Sequence, residues 1–130
     1  MSLLRILIIE DSEDDTLLIL RALRKGGYKP VYFRVQTEET MGKALQEEAW
    51  DLILSNHNMP RFSVFGALKV YWESGLDIPF IIVSGEMEED AVREAIQFGA
   101  HAFIKKRNLD RLVPAIQREL QEAEIRRKHS

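Results

Sequence analysis

The 130-residue chain contains no cysteine, which excludes thiol catalysis, cysteine-ligated metal sites and disulfide bonds. It also has no apolar run near the ~20 residues that a membrane-spanning helix needs. The net charge is −3, without the basic excess typical of nucleic-acid binding. The first apolar run is too short for a signal peptide and ends at Glu10 and Asp11. We therefore expect a cytoplasmic protein without membrane insertion or nucleic-acid partners.

The apolar residues that are present fall into five short runs separated by helical patterns. This alternation predicts five strands, each followed by a helix. Ser12 and Thr37 are suited to cap the first two helices, and Gly75 and Gly99 to end the third and fourth. Pro114 predicts a fifth helix that begins near Leu112, because proline is tolerated only in the first turn. The predicted strands are 5–9, 31–35, 51–54, 79–83 and 102–104, and the third and fourth helices are 63–74 and 87–98.

Five β/α units of this length predict a parallel sheet covered by helices on both faces, because each crossover is right-handed and buries the sheet. Functional residues of such sheets collect at the carboxyl ends of the strands. Here those ends carry Glu10 and Asp11, Asn56, Ser84, and the pair Lys105-Lys106. Carboxylate and amide oxygens suit Mg²⁺, and a hydroxyl with an ammonium can hold phosphoryl oxygens.

The order of these residues resembles the response-regulator receiver family of two-component signalling over residues 4–120. The chain shows an acid pair after strand one, Asn-x-x-Met-Pro ending 59–60 at the place of Asp-x-x-Met-Pro, a serine after strand four, and Gly-Ala-x-x-Phe-x-x-Lys at 99–106. The resemblance implies a flavodoxin-like (βα)5 three-layer sandwich with a five-stranded parallel sheet in the order 2-1-3-4-5. It also implies metal binding by Glu10, Asp11 and the Asn58 backbone carbonyl, a switch hydroxyl and aromatic at Ser84 and Phe103, and a phosphoryl-site lysine at Lys106.

Two positions depart from the family pattern. Arg107 replaces the proline that usually follows the lysine through a cis bond, so we expect a trans bond and a different loop. Asn56 stands where the family has its phosphate-accepting aspartate. An amide oxygen is neutral and its lone pairs are in resonance, so Asn56 should not form an acyl phosphate and would be only a weak metal ligand.

Several readings stay open at the sequence level. Asn56 is either a natural feature of a pseudo-receiver or a replacement of an original aspartate. Ser55 should point away from the site as a strand neighbour of Asn56, and His57 reads as a loop residue. A Mg²⁺-dependent phosphatase is less well supported, because Asp11 lacks a second aspartate two residues away. A flavin carrier is disfavoured by the five acids after strand one, which would repel its phosphate.

The resemblance predicts a non-enzymatic signalling domain that contacts a histidine kinase or other signalling domains, whether separate or on the same chain, and it allows a homodimer. We assign residues 1–120 to the receiver domain. Residues 121–130 are mostly charged and should form a helical extension that overhangs the domain and buries little. Trp50 and Trp72 are predicted to lie in the core.

Overall fold

The computed structural model describes residues 2–129, apart from the side chain of Asn58. The strands are β1 (Ser2–Ile9), β2 (Tyr28–Val35), β3 (Leu52–Ser55), β4 (Asn58–Met59), β5 (Phe62–Ser63), β6 (Phe80–Ser84) and β7 (Ala102–Lys105). Five of them form a parallel sheet in the order β2-β1-β3-β6-β7. Counted within this sheet alone, the order is the predicted 2-1-3-4-5, so the flavodoxin-like α/β fold is confirmed.

The helices are α1 (Glu13–Lys25), α2 (Glu38–Glu47), α3 (Val64–Ser74), α4 (Glu89–Gln97) and α5 (Leu112–Lys128), and Lys106–Arg111 form a 3-10 turn before α5. The predicted caps are present. Ser12 accepts a hydrogen bond from the Asp15 N–H, and Gly75 ends α3 in the left-handed conformation that glycine adopts without strain. Within the described residues, no helix is both long and apolar enough to cross a membrane.

Side chains that alternate along each strand supply two separate cores, one on each face of the sheet. Ile6 and Ile8 of β1 pack with α1 and α5, where Leu20 and Ile116 are buried. Leu7, from the same strand, faces the opposite core that α2, α3 and α4 cover. Because both faces are buried, the strand order and register are fixed, and the carboxyl ends of the strands meet at one edge.

Several element bounds differ from those predicted. Strands β1 and β2 are longer at their amino ends, because Ser2 pairs with Tyr28 beyond the apolar residues. Pro30 lies inside β2, which it can do because β2 is an edge strand. Helix α4 is shorter than predicted at both ends, and Glu88 precedes it without a side-chain cap. The two-residue strands β4 and β5 form an antiparallel ribbon that was not predicted.

Most of residues 121–129 are exposed, as expected, but two of them contact the rest of the protein or are buried. The helix does continue to Lys128, but Ala123 within it is only 2% exposed. Arg126 reaches Asp77, on the loop that leads into β6, with 3.0 Å between Nη2 and Oδ1. The charged composition of this segment gave no indication of the buried alanine or of the ion pair, which links the segment to the loop before β6.

Trp72 is not a core residue. It is 68% exposed, whereas Trp50 is partly buried and donates its indole N–H to the Ala44 carbonyl. The buried stripe of α3 includes Val64, Leu68 and Tyr71. Trp72 lies one position beyond this stripe, at its margin, so its aromatic character alone did not predict its environment.

Candidate functional site

The carboxyl edge of the sheet brings the predicted polar residues together. In the parallel register, Ile9 is opposite Ser55, and Ser84 is opposite Lys105. The residues that follow these positions, or stand at them, are Glu10, Asn56, Ser84 and Lys106. Two hydrogen-bonded groups occupy the edge. One is centred on Asn56 and the other on Lys106.

The Asn56 carboxamide is held by two donors. The Ser84 hydroxyl donates to Asn56 Oδ1 over 3.0 Å, and the His57 backbone N–H donates to the same oxygen over 2.9 Å. Ser84 is 3% exposed, so its hydroxyl needs such a partner within the protein. The amide oxygen therefore sits at the end of β3 as a neutral acceptor in a fixed orientation.

The Lys106 ammonium contacts two carboxylates. Its Nζ lies 2.8 Å from Glu10 Oε1 and 2.6 Å from Asp15 Oδ2. Glu10 is buried, and Lys106 is mostly buried. A buried charge is tolerated when it is paired and hydrogen-bonded, and each member of this group is. The result is a three-residue ion cluster that joins the ends of β1 and β7 to the first turn of α1.

Burial and pairing act in opposite directions on the two buried charges of this cluster. Burial raises the pKa of the Glu10 carboxyl above its usual range, although the Lys106 ammonium partly offsets the effect. Burial also acts to lower the pKa of Lys106, but its hydrogen bonds to Asp15 and Glu10 outweigh that loss, so the pKa of Lys106 is raised. The two carboxylates thus favour the charged form of Lys106.

Asp15 is a site residue that the sequence analysis missed. It was assigned only to the first turn of α1, where a negative charge suits the helix dipole. Its backbone N–H does bond the Ser12 cap, but its carboxylate reaches across to Lys106. The available signal was the presence of five acids between residues 10 and 15 facing a single predicted lysine.

The acid pair is divided between two environments. Glu10 is buried and committed to Lys106, whereas Asp11 is exposed and lines a shallow cavity of about 350 Å³ together with Met59 and Arg61. Over the described part of the chain, no group of three or more histidine or acidic residues could enclose a metal. Mg²⁺ needs only one or two carboxylates beside its water ligands, so the chemistry of Glu10 and Asp11 is compatible with the ion, and its binding here remains a prediction.

Three further residues at or near this edge have different environments. Ser55 is buried and its hydroxyl donates to the Asn56 backbone carbonyl over 3.0 Å, so it is not available as a substitute acceptor. Nδ1 of His57 is buried without a hydrogen-bond partner among the described residues. Phe103 is partly buried against the core beneath α3 and α4.

Two further expectations concern the loop after β7 and the third metal ligand. The peptide bond between Lys106 and Arg107 is trans, as expected, and there is no cis bond among the described residues. The Arg107 side chain forms an ion pair with Glu86 over 3.3 Å. Asn58 belongs to β4. The role of its backbone carbonyl as a metal ligand remains a prediction.

Comparison with known proteins agrees with this fold. Residues 6–117 match the model of the response regulator receiver domain family. The chain is 30% identical over 107 residues to the sensory/regulatory protein RpfC of Xanthomonas campestris, covering 79% of the chain but 14% of RpfC. It is also 30% identical over 107 residues to the two-component response regulator ORR3 of Oryza sativa, covering 78% of each.

A solved structure gives the same picture. The signal receiver domain of a signal transduction histidine kinase from Syntrophus aciditrophicus superposes with a TM-score of 0.73 and 25% identity, covering 92% of this chain and 91% of that one. The family match spans most of the chain and includes part or all of every strand of the sheet. The chain therefore belongs to the response regulator receiver domain family.

Proposed function

We propose that this receiver domain carries no phosphoryl group at position 56 and signals through contacts with partner proteins. The observation that carries the proposal is the carboxamide of Asn56 at the end of β3, oriented by Ser84 and His57. Formation of an acyl phosphate requires a carboxylate oxygen that attacks phosphorus. Asn56 keeps the shape and the acceptor geometry of a carboxylate but lacks its charge and nucleophilicity.

We also propose that the other residues of the edge retain part of the arrangement that would hold a phosphoryl group. Ser84 and Lys106 would supply the hydroxyl and the cation, and Phe103 the aromatic that responds to them. Glu10 and Asp11 would bind Mg²⁺ weakly, with Asn56 and the Asn58 carbonyl as further oxygens. A bound Mg²⁺ would neutralise negative charge at this edge. Lys106 already neutralises Glu10, which is why the binding should be weak.

The partners we propose are a histidine kinase or other signalling domains, on a separate chain or on the same one. The relative RpfC is described as a sensory and regulatory protein, and the matching segment is a small part of its length. Within a larger protein, a domain of this kind can act by binding to a partner surface, without being phosphorylated and dephosphorylated. Residues 121–130 would lead to the following domain or to a partner.

A second candidate function is an ordinary phospho-accepting receiver whose natural chain has aspartate at position 56. It is favoured by the presence of Ser84, Glu10 and Lys106 at the edge, since a hydroxyl, a carboxylate and an ammonium group there are the groups that a phosphoryl site with Mg²⁺ would use. A Mg²⁺-dependent phosphatase is the weakest alternative, because Asp11 has no aspartate partner two residues away.

Incubation with acetyl phosphate and Mg²⁺, followed by intact-mass analysis, separates these functions. We expect no added phosphoryl group on the Asn56 protein. The matched variant Asn56→Asp should gain one if the edge is still competent, which would favour the second candidate, and none if it has lost that chemistry. A phosphoryl group mapped to position 56 of the unaltered chain would overturn the proposal, and release of phosphate from p-nitrophenyl phosphate would support the phosphatase.

A further inference from the structure

An apolar groove lies between α3 and α4, away from the carboxyl edge of the sheet. Its volume is about 570 Å³, and its lining residues are Phe65, Leu68, Lys69, Trp72, Glu73 and Phe98. Trp72 and Phe98 are 68% and 53% exposed, and Trp72 is the most exposed large hydrophobic residue in the described chain. Exposed aromatic residues gathered in one groove are typical of a surface that binds a partner.

Trp72 is fixed in place although it is exposed. Its indole N–H donates to the Phe98 carbonyl over 2.7 Å, so the ring presents only apolar surface outward. Gly99 makes this contact feasible, because a Cβ there would lie 2.7 Å from Trp72 Nε1. Phe98 is held in turn by an edge-to-face contact with Phe65, with ring centroids 5.8 Å apart. A pre-organised aromatic pair loses little entropy when a partner covers it.

The charges on either side of Trp72 indicate what covers it. Lys69 and Glu73 are four residues apart on α3, have opposite signs, and both line the groove. Neither takes part in an ion pair elsewhere within residues 2–129. A uniformly acidic or basic peptide would meet one of these two charges with the wrong sign. An antiparallel helix that sets a negative charge opposite Lys69 and a positive charge opposite Glu73 would match both.

We propose that this groove is the interface of a homodimer, in which α3 packs antiparallel against α3 of a second copy across a two-fold axis. With a two-fold axis, every contact between one residue of the first copy and another residue of the second occurs twice, with the two copies exchanged. An axis that passes between positions 69 and 73 sets Lys69 opposite Glu73 of the second copy, and Glu73 opposite its Lys69. Trp72 and Phe98 of each copy then cover one another. This inference does not depend on whether position 56 accepts a phosphoryl group.

Sedimentation velocity of the full chain, from low micromolar to submillimolar concentration, tests the dimer. We expect a monomer–dimer equilibrium. Trp72→Ala should weaken it by about 30-fold or more, since a central tryptophan is a typical interface hot spot. The matched control is Leu17→Ala, on α1, where Leu17 is 52% exposed and lies outside the groove. A chain that stays monomeric throughout, or a dimer that tolerates Trp72→Ala, would overturn the proposal.

A charge exchange tests the two-fold geometry without disturbing the fold, because Lys69 and Glu73 are both exposed. Lys69→Glu and Glu73→Lys should each weaken the dimer by about tenfold, because each sets two pairs of like charges against one another. An equimolar mixture of the two variants should dimerise as strongly as the unaltered chain, because the new charges are then complementary. If the mixture dimerises no better than the separate variants, the antiparallel arrangement is wrong.

Discussion

Asp15 Oδ2 lies 2.6 Å from Lys106 Nζ, so the first turn of α1 is tied directly to the residue that follows β7. These residues are 91 positions apart in the chain. Glu10, at the end of β1, completes the cluster on the same ammonium. The carboxyl edge of this receiver domain is therefore held together by charge, with the cation already satisfied.

The substitution Asp15→Asn should lower the free energy of unfolding by about 1 kcal/mol, because Lys106 loses one of its two charged partners in a largely buried setting. Urea denaturation measures the change. Asp14→Asn is the matched control, since Asp14 is in the same helical turn but exposed and outside the cluster. Equal effects of the two substitutions would mean that the helix dipole, and not Lys106, accounts for the contribution of Asp15.

How much of this could be read from the sequence depends on the kind of residue. Glu10 and Ser84 were placed at the edge because apolar strands in β/α alternation bring their carboxyl ends together, whatever the detailed packing. Asp15 was not placed there, because the direction of a side chain in the first turn of α1 depends on how that helix packs against the 3-10 turn after β7. The ribbon of β4 and β5 is too short to produce a periodic pattern.

The same limit applies to residues at the margin of a helix. Trp72 directly follows Tyr71, which belongs to the buried stripe of α3. A sequence pattern does not resolve whether a residue at the margin of such a stripe is buried or exposed. Ala123 and Arg126 were hidden for another reason. A single small apolar residue in a charged segment gives no signal, and the partner of Arg126 is Asp77, a loop residue 49 positions away.

His101 should make stability depend on pH. Its Nδ1 accepts a hydrogen bond from the Phe80 N–H over 2.9 Å, so the ring must be neutral there, and burial together with Arg126 lowers the pKa of His101. The unfolded chain then binds the extra proton more readily than the folded chain. The contribution of His101 is therefore full above the ordinary pKa of about 6.5 and is lost as the pH falls below it.

Substitution tests this expectation. His101→Leu leaves the Phe80 N–H without its acceptor and should cost about 1–3 kcal/mol at pH 8, as an unsatisfied donor does. The difference from the unaltered chain should narrow as the pH falls towards 5, because the histidine then loses its own advantage. His129→Leu, on the exposed residue after α5, serves as the control. A difference that is constant with pH would show that His101 does not titrate in this range.

Truncation after Leu120 should lower the thermal midpoint by several degrees. It removes Ala123 from its buried position and Arg126 from its ion pair with Asp77. Losses of about 1 kcal/mol shift the midpoint of a domain of this size by about 3–6 °C. A chain ending at Lys128 keeps all of α5 and should match the full chain. An unchanged midpoint for the shorter truncation would restore the view that the segment only overhangs the domain.

The substitution Asn56→Asp should destabilise the chain in chelator and make it more responsive to magnesium. A carboxylate at position 56 adds a fourth acid to the edge that already holds Glu10, Asp11 and Asp15, while Lys106 is shared between Glu10 and Asp15. Without metal, we expect a loss of about 1 kcal/mol or more, within the range usual for a single substitution. With Mg²⁺, the added anionic ligand should tighten binding to the folded state and raise its stability.

Chemical denaturation of both proteins, each with excess EDTA and with Mg²⁺, measures the four free energies of unfolding that decide this. Asn56→Ser separates the charge from the shape, since it removes the carboxamide without adding an acid and should leave the response to Mg²⁺ no greater than that of the unaltered chain. The stabilisation by Mg²⁺ should be largest for Asn56→Asp, because linkage rewards the state that binds the ion more tightly. If the unaltered chain and Asn56→Asp respond equally, position 56 does not act together with Glu10 and Asp11, and the assignment of the metal site is wrong.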